Sequence, residues 1–207
     1  MSSSNLPDLA FIDVETLGLD PEKHRVIEIT VTRVPFDVSK WGSSPRSITQ
    51  RITPTPEDFA LAESGALRVN GYYPGHPDWA GAIYSRSTAN SDFWNNLNHT
   101  WLKDAVLVSQ NVPFDRGFLE SELLERWSFT PKPGEKPRNP GLWARRFIDI
   151  QSYSALIAME KGLSKWGLHD VYAALGLPAL PEHRSAADVQ RGMAVFKYVY
   201  DRVMHTS

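Results

Sequence analysis

Residues 9–34 read L-A-F-I-D-V-E-T-L-G-L-D-P-E-K-H-R-V-I-E-I-T-V-T-R-V, and this stretch decides the fold. The apolar run 9–14 ends in polar residues, which is typical of a buried strand. Residues 25–34 alternate in polarity and are rich in β-branched side chains, which predicts a second strand. The glycine and proline between them predict a short, hairpin-like connection, so the two strands should be antiparallel neighbours.

Three further strands are predicted along the rest of the chain. Strand 47–53 follows the first two after a short connection, whereas strands 105–109 and 146–150 each follow helical segments. Short connections favour antiparallel neighbours, and helical crossovers favour parallel ones. The sequence therefore predicts an α/β fold with a mixed five-stranded sheet, three antiparallel strands and then two parallel ones, flanked by helices.

The length of 207 residues fits one domain, 1–207, with a core over about 8–200. Residues 72–87 and 128–145 lack a clear period and are predicted as loops. Cysteine is absent, which excludes disulfides, thiolate metal sites and a cysteine nucleophile. No apolar run approaches the ~18–20 residues that cross a bilayer, and the first residues lack a signal-peptide pattern, so we expect a cytoplasmic protein without membrane contact.

The charge balance excludes a wholly basic surface for binding nucleic acid. Lysine and arginine number 22 against 24 acidic residues, a formal net charge of −2. A local basic track stays compatible with this balance. The loop 128–145 carries such a group, which could follow a phosphate backbone or simply keep the loop solvated: Lys132, Lys136, Arg138 and Arg145, followed by Arg146.

The first carboxylate pair stands in F-I-D-V-E-T-L-G, residues 11–18. Asp13 and Glu15 lie two positions apart at the end of a predicted strand, so both side chains face the same side of the sheet. Adjacent carboxylates that lose hydration repel each other, and a hard divalent cation with oxygen ligands relieves that repulsion. A solvated strand end is the plain alternative, because D-x-E is a common pattern.

A third carboxylate, Asp115, follows strand 105–109 in N-V-P-F-D-R-G-F-L, residues 111–119. It falls in the first turn of a predicted helix, where the helix dipole alone would stabilise it. Ligands of open α/β sheets bind beyond the carboxyl ends of parallel strands. If strand 105–109 runs parallel to the first strand, Asp115 lies at the same sheet edge as Asp13 and Glu15.

The fourth carboxylate, Asp188, ends the motif H-R-S-A-A-D, residues 183–188, on a predicted C-terminal helix. The small residues 185–187 allow this helix to approach the sheet closely. His183 lies five positions earlier, which on a helix would be about 140° away around the axis. We therefore expect His183 in the preceding loop, free to swing over the site, although a lone loop histidine is more often a surface residue.

Together these motifs resemble the DEDDh 3′→5′ exonucleases, the family of the ε proofreading subunit of the bacterial replicative polymerase, of RNase T and of oligoribonuclease. The matching segments are D-V-E-T-L-G, N-V-P-F-D-R-G-F-L and H-R-S-A-A-D, in the family's order and spacing over residues 8–200. R-V-I-E-I-T resembles the family's second strand, and A-L-R-V-N-G-Y the segment before its substrate-contacting turn. The resemblance implies a ribonuclease H-like fold in which loops 72–87 and 128–145 are insertions or lengthened loops.

The resemblance implies metal-dependent hydrolysis of phosphodiester bonds from the 3′ end of a single strand, with release of nucleoside monophosphates. Asp13, Glu15 and Asp188 would bind one Mg²⁺ or Mn²⁺ ion, and Asp13 would bridge to a second ion that Asp115 holds. His183 would accept the proton of the attacking water, a task that suits an imidazole, whose ordinary pKa is about 6.5. These five residues form the predicted catalytic set.

The resemblance also implies which residues hold the terminal nucleotide. Thr16 and the backbone near Leu17 would contact the 3′ hydroxyl, Leu17 would wedge against the last base, and Phe114 would add stacking. Phe118 suits the core better, because it lies four residues after Phe114 on the same helix. The full predicted set is Thr16, Leu17, Gly18, Asn70, Asn111 and Phe114.

The implied partners are the 3′ ends of single-stranded DNA or RNA. The sequence leaves the choice open, because it depends on contacts to the 2′ hydroxyl. A proofreading role would require a polymerase partner, and a homodimer is the other protein partner left open. Two alternatives remain: an RNA-specific exoribonuclease of the same fold, and a catalytically inactive domain that binds nucleic acid.

Overall fold

The predicted hairpin lies at the centre of the sheet in a computed structural model, which describes residues 6–43, 45–126, 141–181 and 183–205. Strands β1 (Leu9–Thr16) and β2 (Val26–Val34) pair antiparallel, and β3 (Arg46–Thr53) adds antiparallel to β2. The other strands are β4 (Ile83–Tyr84), β5 (Val106–Ser109) and β6 (Phe147–Asp149). Because β5 pairs parallel with β1 and β6 parallel with β5, the predicted change from antiparallel to parallel is confirmed.

The described part of the chain forms six sheet strands, in the order β4-β3-β2-β1-β5-β6, so the predicted count of five is wrong. The additional strand, β4, lies inside the predicted loop 72–87 and pairs parallel with the end of β3. Two residues are too few to show a hydrophobic period. This strand exists because the exposed edge of β3 supplies hydrogen-bonding partners that are distant in sequence.

Helices cover both faces of the sheet. The first face carries α3 (Thr88–Asn96), a π-helical turn (Leu97–Leu102) and α4 (Val112–Arg126), and the second carries the C-terminal helices. The helical segment predicted before strand 105–109 is thus an α-helix that continues into a π turn. The remaining helices are α1 (Pro56–Ala60), α2 (Ser64–Asn70), α5 (Ile150–Lys161), α6 (Leu168–Ala174) and α7 (Ser185–His205), with 3₁₀ turns at Val38–Lys40 and Pro77–Trp79.

Strand β1 is buried on both faces and divides the core into two layers. Its even-numbered residues, such as Ile12, pack in the layer that contains Trp94 and Phe118, which confirms the core position of Phe118. Its odd-numbered residues, such as Phe11, pack with Phe196 of α7 in the second layer. The strand is therefore nearly continuous in apolar residues until the two carboxylates of its second half, as expected for a strand covered on both sides.

Gly162 ends α5 in a left-handed conformation (φ 66°), which glycine adopts without strain. The basic residues Lys132, Lys136 and Arg138 lie outside the described residues, whereas Arg145 and Arg146 are exposed just before β6. Across the described ranges, no helix combines the length and the apolar character needed to span a membrane.

Candidate active site

The carboxylates of Asp13 and Glu15 lie on the face of β1 that α7 covers. Leu9 and Phe11 precede them on that face and are completely or almost completely buried, whereas both carboxylates are half-buried at the end of the strand. The period-two prediction is therefore confirmed, because the strand alternation brings both side chains to one place.

Asp188 completes this group from the first turn of α7. Asp13, Glu15 and Asp188 each offer a carboxylate oxygen, and these oxygens all lie within 4.8 Å of one another. Close packing of α7 brings Asp188 here: Ser185 and Ala187 are buried against the sheet, and the Ser185 hydroxyl contacts Thr30 of β2 at 2.7 Å. The small residues before Asp188 thus allow the predicted close approach.

Asp115 reaches the same edge of the sheet from α4. Its Oδ1 accepts a 3.1 Å hydrogen bond from the backbone N–H of Val14, which lies between Asp13 and Glu15. The side chain is buried at the beginning of α4, directly after the parallel strand β5. The prediction that Asp115 shares the sheet edge with the first two carboxylates is confirmed.

Burial and mutual repulsion raise the pKa values of three carboxylates, those of Asp13, Glu15 and Asp115. Removal from water, followed by repulsion from Asp188 and Glu28, raises the pKa of Glu15 from 4.5 to about 8. Burial likewise raises the pKa of Asp115 from 3.8 to about 7. The pKa of Asp13 lies well above its ordinary value, because of burial and then the charges of Asp115 and Asp188. Ionising the whole set is therefore costly without a compensating cation.

The donor set suits a hard divalent cation. Carboxylate oxygens are the ligands that Mg²⁺ and Mn²⁺ prefer, and three of them converge from β1 and α7. The raised pKa of Glu15 shows that the charges of the surrounding protein do not balance this carboxylate, even with Arg184 nearby. Bound cations would supply the missing positive charge, so the residues present fit the metal that the motifs predict.

Glu28 and Arg184 belong to this site and were missed at the level of the sequence. Glu28 lies opposite Glu15 in the β1–β2 ladder and is almost completely buried. One oxygen of Glu28 accepts hydrogen bonds from the backbone N–H and the hydroxyl of Ser185, at 3.0 and 2.8 Å. Its other oxygen accepts from Arg51 at 2.6 Å. The signal in the sequence is a charged residue among the apolar and β-branched side chains in the first part of β2.

A pocket of about 410 Å³ adjoins the carboxylates. Glu15 belongs to both the pocket and the carboxylate cluster, so a ligand in the pocket lies beside the acidic group. Half of its lining residues have apolar side chains. The lining residues are Val14, Glu15, Thr16, Leu19, Glu63, Gly65, Ala66, Val69, Asn70 and Phe114.

The structure departs from prediction at Leu17, whose side chain is completely buried with Ile27, Tyr72 and Trp79. It is therefore unavailable as the predicted wedge. Leu19, two residues later, is 71% exposed and lines the pocket instead.

The other predicted nucleotide contacts divide into pocket walls and supports. Thr16 and Phe114 line the pocket, and the Thr16 hydroxyl donates to the carbonyl of Gly18 at 2.7 Å. Asn70 also lines the pocket, but its amide is committed to the protein: Nδ2 donates to the Thr16 carbonyl at 2.8 Å, and Oδ1 accepts from the N–H of Tyr72 at 2.9 Å. Asn111 is exposed, and its carbonyl accepts from the first turn of α4.

His183 is exposed in the loop before α7, as expected, with a left-handed backbone (φ 50°). The next residue, Arg184, anchors this loop to the end of α2 and to the 3₁₀ turn Pro77–Trp79. Its guanidinium donates to the Asn70 carbonyl and to the Asp78 carboxylate, both at 2.9 Å, and lies over the ring of Trp79. The loop that carries His183 is thus tied to the segment that follows the pocket.

The aromatic residues of loop 72–87 differ in their exposure to solvent. Tyr72 and Trp79 are buried, and the Trp79 indole donates to the Ile27 carbonyl at 3.0 Å. Tyr73 and Tyr84 are 53% and 70% exposed. Two of these four aromatic residues therefore pack in the interior and hold the loop against the sheet.

A mixed sheet with four motif carboxylates gathered at one edge defines the chain as a protein of the ribonuclease H-like class. A family model described as exonuclease, that of RNase T, matches residues 10–196. The chain therefore belongs to this family, the DEDDh exonucleases.

Individual relatives agree with this assignment over part of their length. Ribonuclease T of Marinobacter nauticus is 30% identical over 116 residues, which cover 55% of this chain and 51% of the relative. Ribonuclease T of a Shewanella species is 29% identical over 126 residues, covering 59% and 54%. The chain thus spans about half the length of the curated relatives that it matches.

Solved structures share the fold at low sequence identity. E. coli exonuclease I in complex with a dT13 oligonucleotide is 16% identical and superposes with a TM-score of 0.70, covering 95% of this chain and 42% of that one. Exonuclease I of Methylocaldum szegediense is 18% identical, with a TM-score of 0.65 and coverages of 95% and 41%. At this identity the likeness establishes the fold.

Proposed function

We propose that this chain is a divalent-metal-dependent 3′→5′ exonuclease that releases nucleoside monophosphates from single-stranded nucleic acid. The observation that carries the proposal is the convergence of Asp13, Glu15 and Asp188 within 4.8 Å, beside the pocket that Glu15 also lines. Membership in the exonuclease family supports the same reaction.

The four carboxylates would hold the metal. Asp13, Glu15 and Asp188 would bind one Mg²⁺ or Mn²⁺ ion, and Asp13 with Asp115 a second. Bound ions would stabilise the charge on the attacking and the leaving oxygens. The protein's own contribution is to fix the ligands: the Val14 N–H orients Asp115, and strand alternation holds Asp13 and Glu15 side by side.

The pocket beside Glu15 would receive the 3′-terminal nucleotide. Leu19, Val69 and Phe114 provide apolar and aromatic surface for a base, and Thr16 lines the same pocket. Asn70 would act by holding the Thr16 backbone in place, because both ends of its amide are already hydrogen-bonded within the protein. A base stacked in this way contributes about 1–3 kcal/mol.

We infer that His183 is the general base. Its exposed loop position, between the buried Ser185 and the end of the preceding segment, leaves the imidazole free to approach a water at the carboxylates. A general base accepts the proton of the attacking water, so His183→Ala should lower the rate and change its dependence on pH. A pH–rate profile identical in wild type and His183→Ala would remove this role.

Two polymers are candidates for the substrate. The sequence relatives bear the name ribonuclease T, whereas a structural neighbour was solved with a DNA oligonucleotide. The proposal therefore covers both polymers at the level of the reaction. The comparisons give no support for a polymerase or a homodimer partner, and a cytoplasmic location stays a prediction from the sequence.

The test uses DNA and RNA oligonucleotides of one sequence, labelled at the 5′ end, with Mg²⁺ or with excess chelator. We expect a ladder of labelled products that shortens one nucleotide at a time, and mononucleotides in the unlabelled fraction. Asp188→Asn should abolish it, whereas Asp201→Asn, an exposed carboxylate farther along α7, should leave it intact. Hydrolysis that persists in chelator would refute the metal mechanism, and no hydrolysis of either polymer would favour the inactive binding domain.

A further inference from the structure

Arg191 is a buried arginine whose side chain is only 2% exposed, on α7 one turn after Asp188. Burying a guanidinium is costly unless its donors are paired. Its Nη1 donates to Oδ1 of Asp188 at 2.6 Å, and its Nε has no partner among the described residues. The principal charge partner of this buried cation is therefore a carboxylate of the acidic cluster.

The second terminal nitrogen of Arg191 binds a different part of the chain. Nη2 donates to the carbonyls of Leu180 and Pro181, at 2.7 and 2.8 Å. These residues belong to the irregular segment between α6 and α7, which leads directly to His183. One planar guanidinium thus joins Asp188 to the loop that carries the proposed base.

We propose that Arg191 is a positioning residue that locks Asp188 and the His183 loop into one arrangement. The forked geometry of arginine is what allows it to bind a carboxylate and two carbonyls at fixed directions. The hydrogen bond from Arg191 to Oδ1 restrains the rotation of the Asp188 carboxylate, which is one of the three that could hold a cation. This inference rests on the proposed function only where it predicts an effect on kcat. The predicted effect on metal affinity follows from the restraint on the Asp188 carboxylate alone.

Two variants separate the geometry of Arg191 from its charge. Arg191→Lys keeps the positive charge but replaces the planar fork by a compact ammonium, and Arg191→Gln removes the charge. Loss of an outer partner of a metal ligand typically costs 10–100-fold in metal affinity or activity. We therefore expect both variants to bind Mn²⁺ at least about tenfold more weakly in calorimetric titration.

A matched control accounts for simple loss of stability. Val195→Ala removes two methyl groups from a fully buried side chain of the same helix, which packs in the core. We expect it to lower the unfolding temperature while Mn²⁺ affinity and kcat stay as in the wild type. For Arg191→Lys, kcat on a single-stranded oligonucleotide should fall at least about tenfold, with KM changed by less than about threefold.

The outcomes are distinguishable from those of the proposed function. If the wild type hydrolyses neither polymer, the proposed function fails, and the Mn²⁺ titrations still decide the role of Arg191. If Arg191→Gln does not fold, Arg191→Lys alone carries the test. Mn²⁺ affinity and kcat of Arg191→Lys equal to the wild type, with only the instability that Val195→Ala shows, would overturn the inference and leave Arg191 a purely structural residue.

Discussion

Replacing Glu15 with glutamine should stabilise the metal-free protein at alkaline pH. The pKa of Glu15 is raised from 4.5 to about 8, so the folded state favours its protonated form. Below pH 4.5 the carboxyl is neutral in both states and costs nothing. As the pH rises from 4.5 to 8, the Glu15 carboxyl ionises in the unfolded chain but stays protonated in the folded one. The free energy of unfolding therefore falls across that pH range.

The size of this loss follows from the pKa difference. At about 1.4 kcal/mol per pKa unit, the raised pKa of Glu15 costs about 3–5 kcal/mol above pH 8, the lower value allowing for protons taken up by neighbouring Asp13 and Asp115. For a chain of this length, about 1 kcal/mol moves the unfolding temperature by about 2–4 °C. Glu15→Gln should therefore raise it by at least about 6 °C at pH 8.5 in chelator, and by much less at pH 5.

Thermal unfolding followed by circular dichroism, at both pH values with chelator or Mg²⁺, provides the assay. Mg²⁺ should stabilise the wild type at pH 8.5 and have little effect on Glu15→Gln, because a ligand is lost. Glu160→Gln, at an exposed carboxylate of α5 paired with Arg202, serves as the matched control and should show no such pH dependence. If Glu15→Gln lowers the unfolding temperature in chelator at pH 8.5, the assignment of Glu15 to a repulsive cation site is wrong.

Four further substitutions test Asp115 and the packing around the site. Asp115→Asn should keep the fold and lower kcat by at least about 100-fold in the oligonucleotide assay, and near-normal turnover would exclude Asp115 as a ligand. Gly18→Ala should destabilise the protein by about 1–3 kcal/mol in urea unfolding, because an added Cβ would lie 2.4–2.7 Å from the ring atoms of His24. Trp79→Ala should lower the free energy of unfolding by about 3–5 kcal/mol, because a buried ring is lost. Tyr84→Ala, at an exposed residue of the same loop, should change it by less than about 0.5 kcal/mol. Equal effects of the two substitutions would contradict the packing described for this loop.

The parts of the fold that the sequence predicts are those governed by local pattern. Alternation in β2 and the apolar run of β1 identify the central hairpin, and period two places Asp13 and Glu15 together. Helix geometry correctly separates His183 from α7. Each of these depends on residues that are neighbours in the chain.

The parts that sequence reasoning misses depend on distant contacts. Strand β4 needs the edge of β3. Leu17 faces the core because the β1–β2 register shifts between Glu15 and Thr16, an irregularity that ends the simple alternation and leaves Leu19 at the pocket. The role of Arg191 depends on the segment before His183 folding back over α7.

The central claim is that Asp13, Glu15 and Asp188 form a cation site, with Asp115 at its side. A crystal structure determined with Mn²⁺, using its anomalous scattering, tests this claim most directly. We expect an anomalous peak in contact with carboxylate oxygens of all three residues. Saturating Mn²⁺ without any peak between them, in a protein that still degrades oligonucleotides, would contradict it.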